Sequence, residues 1–441
     1  MREPGSRTAV SAGVHRRRHA RSRGLPGLVM AIGIAATSCG GASLPPIASA
    51  EAAAAFEACR DLAWEEKQEC YEARLLDELA AVGAGAALEM LESLAAADRT
   101  AQAQAHVLTH AIGINAYAPG ETFTDVFEEC TEAFQSGCYH GVVQAYFIAM
   151  GEPNAEMVAA LCAPYETDPA DRWLLFQCLH GLGHGLTMYY GHHLLTALDG
   201  CDLLTNEWNR NSCYGGAFME NVVNAVAPHH PAATLVSAGS ASEDGAGEGA
   251  EASAHGAGAH DHGVMALAEG FEAFEPLRAD DPHYPCSILD EKYLMSCYQM
   301  QTSAMLWHND WDVADAASSC LDAPDGWRDD CFMSLGRDIS GRTLQDEDDA
   351  RRECRKSPEE WRVWCYVGAV RNFVDVTATT DAGFSFCRAL EESAKPRCHQ
   401  AMGEALYSLY ADEAARREAC EASETEELAL ACRRGALVRT D

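Results

Sequence analysis

Nineteen cysteines punctuate the 441 residues, and eighteen of them fall into nine successive local pairs. The pairs are Cys59 with Cys70, Cys130 with Cys138, Cys162 with Cys178, Cys201 with Cys213, Cys286 with Cys297, Cys320 with Cys331, Cys354 with Cys365, Cys387 with Cys398, and Cys420 with Cys432. Five pairs are separated by 11 positions and two by 12. The first members of the last five stand at 286, 320, 354, 387 and 420, which gives steps of 34, 34, 33 and 33. A fixed period in this range is the signature of stacked helical hairpins, each covering the apolar face of the next. Cysteine-rich zinc sites would show C-x2-C clusters, and none occur. An even number at regular local spacing implies a disulfide staple in each hairpin.

The text around the pairs repeats as well. CLDAPDGWRDDCFMSLG, CRKSPEEWRVWCYVGAV and CDLLTNEWNRNSCYGGAF share one plan. A helix ends at the first cysteine, a Pro/Gly/Asp/Asn turn follows, and an aromatic opens a second helix that contains the second cysteine. Trp208, Tyr293, Trp327 and Trp361 stand seven residues after their first cysteine. One position after the second cysteine comes an aromatic in most copies (Tyr71, Tyr139, Tyr214, Tyr298, Phe332, Tyr366). Three positions after it comes a small residue (Ala73, Gly141, Gly181, Gly216, Ser334, Gly368, Ala401, Gly435), with Met300 as the exception. Glycine costs about 1 kcal/mol in a helix interior, so its recurrence calls for the close approach of a neighbouring helix.

In period and plan, residues 57–436 resemble the Sel1-like and tetratricopeptide families, especially exported, cysteine-rich Sel1-like proteins with one bridge per hairpin. The consensus positions of those families are not legible, so the resemblance is architectural and transfers no active residue. It implies an all-α fold: a right-handed αα-hairpin solenoid of about nine to ten repeats, most with one internal disulfide. Residues 72–117 add helices without cysteines, an unstapled hairpin. Residues 228–263 are rich in Gly, Ala and Ser, describe a flexible insertion, and stretch the step from Cys201 to Cys286 to 85. The expected organisation is a signal peptide over 1–38, a tether over 39–56, N-terminal repeats over 57–227, the insertion, and C-terminal repeats over 264–436.

The chain opens with seven arginines, then the apolar run LVMAIGIAA, then Ala36-Thr37-Ser38-Cys39-Gly40. This reads as an export signal. The cysteine resembles the lipobox of bacterial lipoproteins, although Ala36 stands where that family prefers Leu; an ordinary cleaved signal is the alternative. Lipidation at Cys39 would hold the protein in the cell envelope, on a periplasmic or cell-surface face, with the anchor its only membrane contact. No later segment reaches about 18 uninterrupted apolar residues. Subtracting the seven Arg and one Glu of residues 1–38 leaves 25 basic and 66 acidic side chains. Such a surface repels nucleic acid, which excludes that class of partner.

Chemistry concentrates in the histidines. Counted from the second cysteine, positions +2 and +6 share a helical face. They read His140, His180, Gly215, Gln299, Met333, Val367, Gln400 and Gln144, His184, Met219, Ser303, Arg337, Arg371, Glu404. Aligning HVLTHAI with HGLGHGL sets His106 and His110 in the same two columns, and Glu220 follows at +7. Equivalent positions of stacked hairpins line one concave surface, so His106, His110, His140, His180, His184 and Glu220 are expected to converge. Two H-x3-H pairs on adjacent helices suit a transition metal, zinc, iron or copper, with Glu220 as ligand or base. His192 and His193 read as supporting or loop residues, and His229, His230, His255, His260 and His262 lie in the insertion. Arg337, Arg371 and Glu404 fit either an interhelical ion-pair ladder or the recognition of an acidic partner. No G-x-S-x-G, H-E-x-x-H, Walker, dinucleotide or haem-attachment motif occurs. Two readings stand: a metal-binding exported protein, as a metal-dependent oxidoreductase or hydrolase, and a non-enzymatic scaffold gripping a protein or peptide partner.

Overall fold

The computed structural model describes residues 49–226, 274–377 and 379–439. Among the described residues there are twenty α-helices and no strand. The N-terminal set is α1 (Ala50–Cys59), α2 (Trp64–Val82), α3 (Ala84–Ala97), α4 (Arg99–Ala116), α5 (Phe123–Phe127), α6 (Gly137–Met150), α7 (Ala155–Leu161), α8 (Arg172–Tyr189), α9 (Leu194–Cys201) and α10 (Glu207–Val226). The C-terminal set is α11 (Glu291–Tyr298), α12 (Gln301–His308), α13 (Val313–Leu321), α14 (Arg328–Arg342), α15 (Glu347–Cys354), α16 (Arg362–Thr377), α17 (Asp381–Arg388), α18 (Lys395–Leu409), α19 (Glu413–Cys420) and α20 (Glu426–Gly435). The all-α repeat architecture is the one read from the cysteine period.

A short first helix alternates with a long second one. The short helices start where a side chain satisfies their free N–H groups: Asn154, Asp312, Asp346 and Asp412 cap α7, α13, α15 and α19. All nine expected staples are present. In the N-terminal half Cys59 bonds Cys70, Cys130 bonds Cys138, Cys162 bonds Cys178, and Cys201 bonds Cys213. In the C-terminal half Cys286 bonds Cys297, Cys320 bonds Cys331, Cys354 bonds Cys365, Cys387 bonds Cys398, and Cys420 bonds Cys432. The paired Cα atoms stand 5.6 to 5.8 Å apart throughout. In the chain-entropy account each bridge contributes about 2.5–3 kcal/mol. The aromatics after the second cysteines are buried. They receive the aromatic of the following repeat: Tyr293 on Tyr214 at 4.9 Å, Trp361 stacked on Phe332 at 5.6 Å. The unstapled hairpin is α3–α4.

The small residues do what their recurrence requires. In the pairs α4/α6, α8/α10, α14/α16 and α18/α20, two glycines face opposing backbone: Gly113 and Gly141, Gly183 and Gly216, Gly336 and Gly368, Gly403 and Gly435. A Cβ on any of these eight would overlap a carbonyl oxygen of the partner helix. Met300, the exception, falls where the second helix breaks into α11 and α12. Its thioether instead meets the Arg337 guanidinium.

The same contacts correct the alignment of α4. Gly113 faces the Cys138 carbonyl as Gly183 faces that of Cys213, so Gly113 is the counterpart of Gly183. His110 therefore shares the +2 column with His140 and His180, and His106 sits one turn earlier. The H-x3-H spacing matched α8 by chance of period; close helix approach sets the register. One boundary also differs. Residues 50–56, expected in the tether, lie in α1, which Ser49 caps. The signal, Cys39 and the 228–263 insertion lie outside the described residues, which resume at Phe274.

The concave face closes on itself. Helix α16 packs on the turn at 133–136, and α18 reaches α8. The Arg172 guanidinium lies over Trp208 at 4.5 Å and over Tyr407 at 4.8 Å, joining the two halves. The cavity on this face holds about 450 Å³. No helix among the described residues is long and apolar enough to cross a membrane.

Candidate metal centre

Three adjacent helices bring the five histidines together. His106 and His110 come from α4, His140 from α6, and His180 and His184 from α8. His110, His140 and His184 are buried, and His106 and His180 are partly so. The glycine contacts let the helix backbones approach closely enough for the imidazoles to touch. Ring centroids of His106 and His110 are 4.7 Å apart, those of His110 and His140 5.3 Å. His140 stacks on His184 at 4.6 Å and lies 4.9 Å from His180.

Two groups of ligand atoms emerge. Those of His106, His110 and His140 all lie within 4.8 Å of one another, as do those of His140, His180 and His184. Three imidazoles at this spacing can close on one ion at about 2.0–2.1 Å after small side-chain adjustments.

The supporting shell is specific. His106 Nδ1 lies 2.8 Å from the Phe134 carbonyl oxygen. That carbonyl sits in a left-handed run, Phe134, Gln135 and Ser136 with φ of 52°, 60° and 61°. Three consecutive non-glycine residues in this region store strain of a kind that gathers at functional sites. His184 Nδ1 lies 2.9 Å from Glu220 Oε2, and Glu220 Oε1 lies 3.2 Å from His192 Nε2. A carboxylate on Nδ1 fixes the tautomer that leaves Nε2 to ligate, an arrangement typical of metal-bound histidine. Glu220, read from the sequence as ligand or base, thus stands behind His184 and outside both groups of ligand atoms. It does not line the cavity either. His192 joins as its second partner, and His193 caps α9 instead.

Several polar atoms here lack the partners that burial demands. Neither ring nitrogen of His140 has a well-formed hydrogen bond among the described residues, nor does Nε2 of His184 or either amide atom of Gln144. Gln177 lies close to His140 and favours its charged form, but burial dominates and holds the His140 pKa well below the ordinary histidine value, with neighbouring His184, His180 and His106 adding to the effect. Burial does the same for His180, assisted by His184 and His106. Both imidazoles are therefore neutral near pH 7, the form that ligates metal. Gln144, one turn beyond His140, was not legible as a site residue; only its place in the +6 column hinted at it.

His140 and His180 also line the central cavity, beside Trp173, Phe176 and Met219. The lining continues onto the C-terminal helices through Met333, Arg337, Arg371 and Asp375. There the charges are spoken for. Arg371 pairs with Glu404, which also takes Arg397 at 3.0 Å, while Arg337 pairs with Asp338 and donates to Ser303 Oγ at 2.7 Å. Of these pairs, Arg371 with Glu404 links two helices, while Arg337 with Asp338 and Arg397 with Glu404 each lie within one. Asp375 lines the cavity as an exposed carboxylate near Arg371.

No family model, curated protein or solved structure matches the chain.

Proposed function

We propose that the protein is an exported αα-repeat protein that binds a transition metal through His106, His110, His140, His180 and His184. The observation that carries this reading is the buried imidazole cluster in which both nitrogens of His140 and Nε2 of His184 have no well-formed hydrogen bond among the described residues. Buried polar atoms are almost always satisfied, and a bound metal ion would take one nitrogen from each of these rings. The all-nitrogen donor set suits zinc, copper or iron. Bound there, such an ion supplies Lewis-acid or redox chemistry to a small molecule in the cavity, which reaches the cluster at His140 and His180. The protein's own contributions are to orient His184 through Glu220, hold His106 through the Phe134 carbonyl, and keep the imidazoles neutral by burial. This makes a metal-dependent oxidoreductase or hydrolase the enzyme class to test.

The setting belongs to the same reading. Nine disulfides fit an oxidising compartment. With the basic and apolar N-terminus and Cys39, they support a lipid-anchored envelope protein on the plan of exported Sel1-like repeats. Mass spectrometry of membrane-extracted protein should find a lipidated Cys39 at the N-terminus.

The test of metal binding is elemental analysis after exhaustive dialysis. The wild type should retain a transition metal, and the double variant His180→Ala with His184→Ala should lose most of it while its helical circular dichroism persists. A wild type that carries no metal, and binds none on titration at neutral pH, returns the imidazoles to packing. The scaffold with a protein or peptide partner then takes its place.

A further inference from the structure

Five imidazoles are more than one ion takes in a tetrahedral site, and the structure divides them. Their ligand atoms form two groups of three: His106, His110 and His140 in one, and His140, His180 and His184 in the other, with His140 common to both. Two ions with three imidazoles each would need six ligand positions from five side chains. The shortfall is met only if one ring serves twice, through Nδ1 to one ion and Nε2 to the other.

His140 is the residue placed to do so. It comes from the middle helix, α6, with His106 and His110 of α4 on one side and His180 and His184 of α8 on the other. Its ring centroid is 5.9 and 5.3 Å from those of His106 and His110, and 4.9 and 4.6 Å from those of His180 and His184. Two of the outer histidines are held from behind: His106 Nδ1 by the Phe134 carbonyl and His184 Nδ1 by Glu220. Those contacts commit one nitrogen of each to the protein. His140 differs in being the one histidine that belongs to both groups of ligand atoms, and it comes from the helix between the other two.

We infer that the cluster is a dinuclear centre in which His140 bridges two transition-metal ions, His106 and His110 completing one site and His180 and His184 the other. The inference rests on the proposed metal binding and adds its nuclearity. Bridging requires the ring to give up its remaining N–H proton to solvent as the second ion binds, so that each nitrogen offers one lone pair. The ion held by His180 and His184 is the one beside the cavity, because His180 lines it. The other lies deeper, behind His140.

The test is Cu(II) titration of the full-length protein, with metal counted after dialysis to remove ions held loosely by surface carboxylates. Two ions per chain are expected. The electron paramagnetic resonance intensity of the fully loaded protein should fall well below that of two independent Cu(II) ions, because an imidazolate bridge couples their spins. His106→Ala and His180→Ala should each retain about one ion, giving the uncoupled signal. His140→Gln should weaken both sites together, at least tenfold each. One ion per chain at saturation overturns the bridge and leaves the metal reading standing. Two ions with the full uncoupled signal, and only one weakened in His140→Gln, also overturn it. No ion bound overturns both. The spectrum of the wild type decides the matter even if a variant fails to fold.

Discussion

The N-terminal and C-terminal halves share one plan and put different chemistry on the same face. Both have stapled hairpins, both pair their second helices through opposed glycines, and both turn the +2 and +6 columns inward. In the C-terminal half the columns carry Arg337, Arg371 and Glu404, and each finds an oppositely charged neighbour. In the N-terminal half they carry imidazoles, and key nitrogens of His140 and His184 find no well-formed hydrogen bond among the described residues. The contrast shows what a repeat scaffold does with a polar inward stripe. Where the stripe satisfies itself it fixes packing; where it does not, the proposed reading gives it a metal ion.

The largest effects should come from the glycine contacts, and they should separate the halves. Gly216→Ala and Gly368→Ala each drive a methyl group into an opposing carbonyl, at His180 and Met333 respectively. Each should cost about 3 kcal/mol, the upper end for overpacking, measured by urea denaturation. Only Gly216→Ala should also weaken metal retention, because only it displaces a helix that carries ligands. Equal metal loss from both would mean that the halves are not independent.

A smaller contrast lies between two carboxylates. Glu220→Gln should weaken metal binding about 10–100-fold by loosening the orientation and tautomer of His184. Glu404→Gln should leave metal binding unchanged and cost about 1 kcal/mol of stability, since its ion pairs with Arg371 and Arg397 are only partly buried. A Glu220 variant that binds metal as tightly as the wild type would remove Glu220 from the site.

The smallest effect concerns acid. His399, in the C-terminal half, is buried, and burial lowers its pKa to about 4. A depressed histidine binds its proton more readily in the unfolded chain than in the folded one. Its stability contribution is therefore complete above about pH 6.5 and is lost as pH falls toward 4. By pH 5.5 the loss should reach about 1 kcal/mol, and His399→Gln should remove it. His140 and His180 are shifted in the same direction. Bound metal should suppress their share of the acid sensitivity and leave that of His399 untouched.

Much of this was legible in the residues. The cysteine period specified the hairpins and all nine staples, because a disulfide between neighbouring helices needs its two cysteines at a nearly fixed separation. The convergence of the histidines followed from their columns. The register of α4 did not, since H-x3-H fits a helix equally well one turn away and only Gly113 against the Cys138 carbonyl decides it. The closure of the array through Arg172 and Tyr407 was invisible, because it depends on curvature summed over many repeats. The role of Glu220 was half legible: its position was right, but which atom it faces depends on side-chain rotamers. The left-handed run at Phe134–Ser136 has no glycine to announce it.

The most direct test of the central claim is anomalous diffraction at the zinc edge from crystals of the zinc-loaded protein. The account predicts strong peaks inside the imidazole cluster, within bonding distance of His140 and of the pairs on α4 and α8. Peaks confined to surface carboxylates, with none among the five histidines, would contradict it.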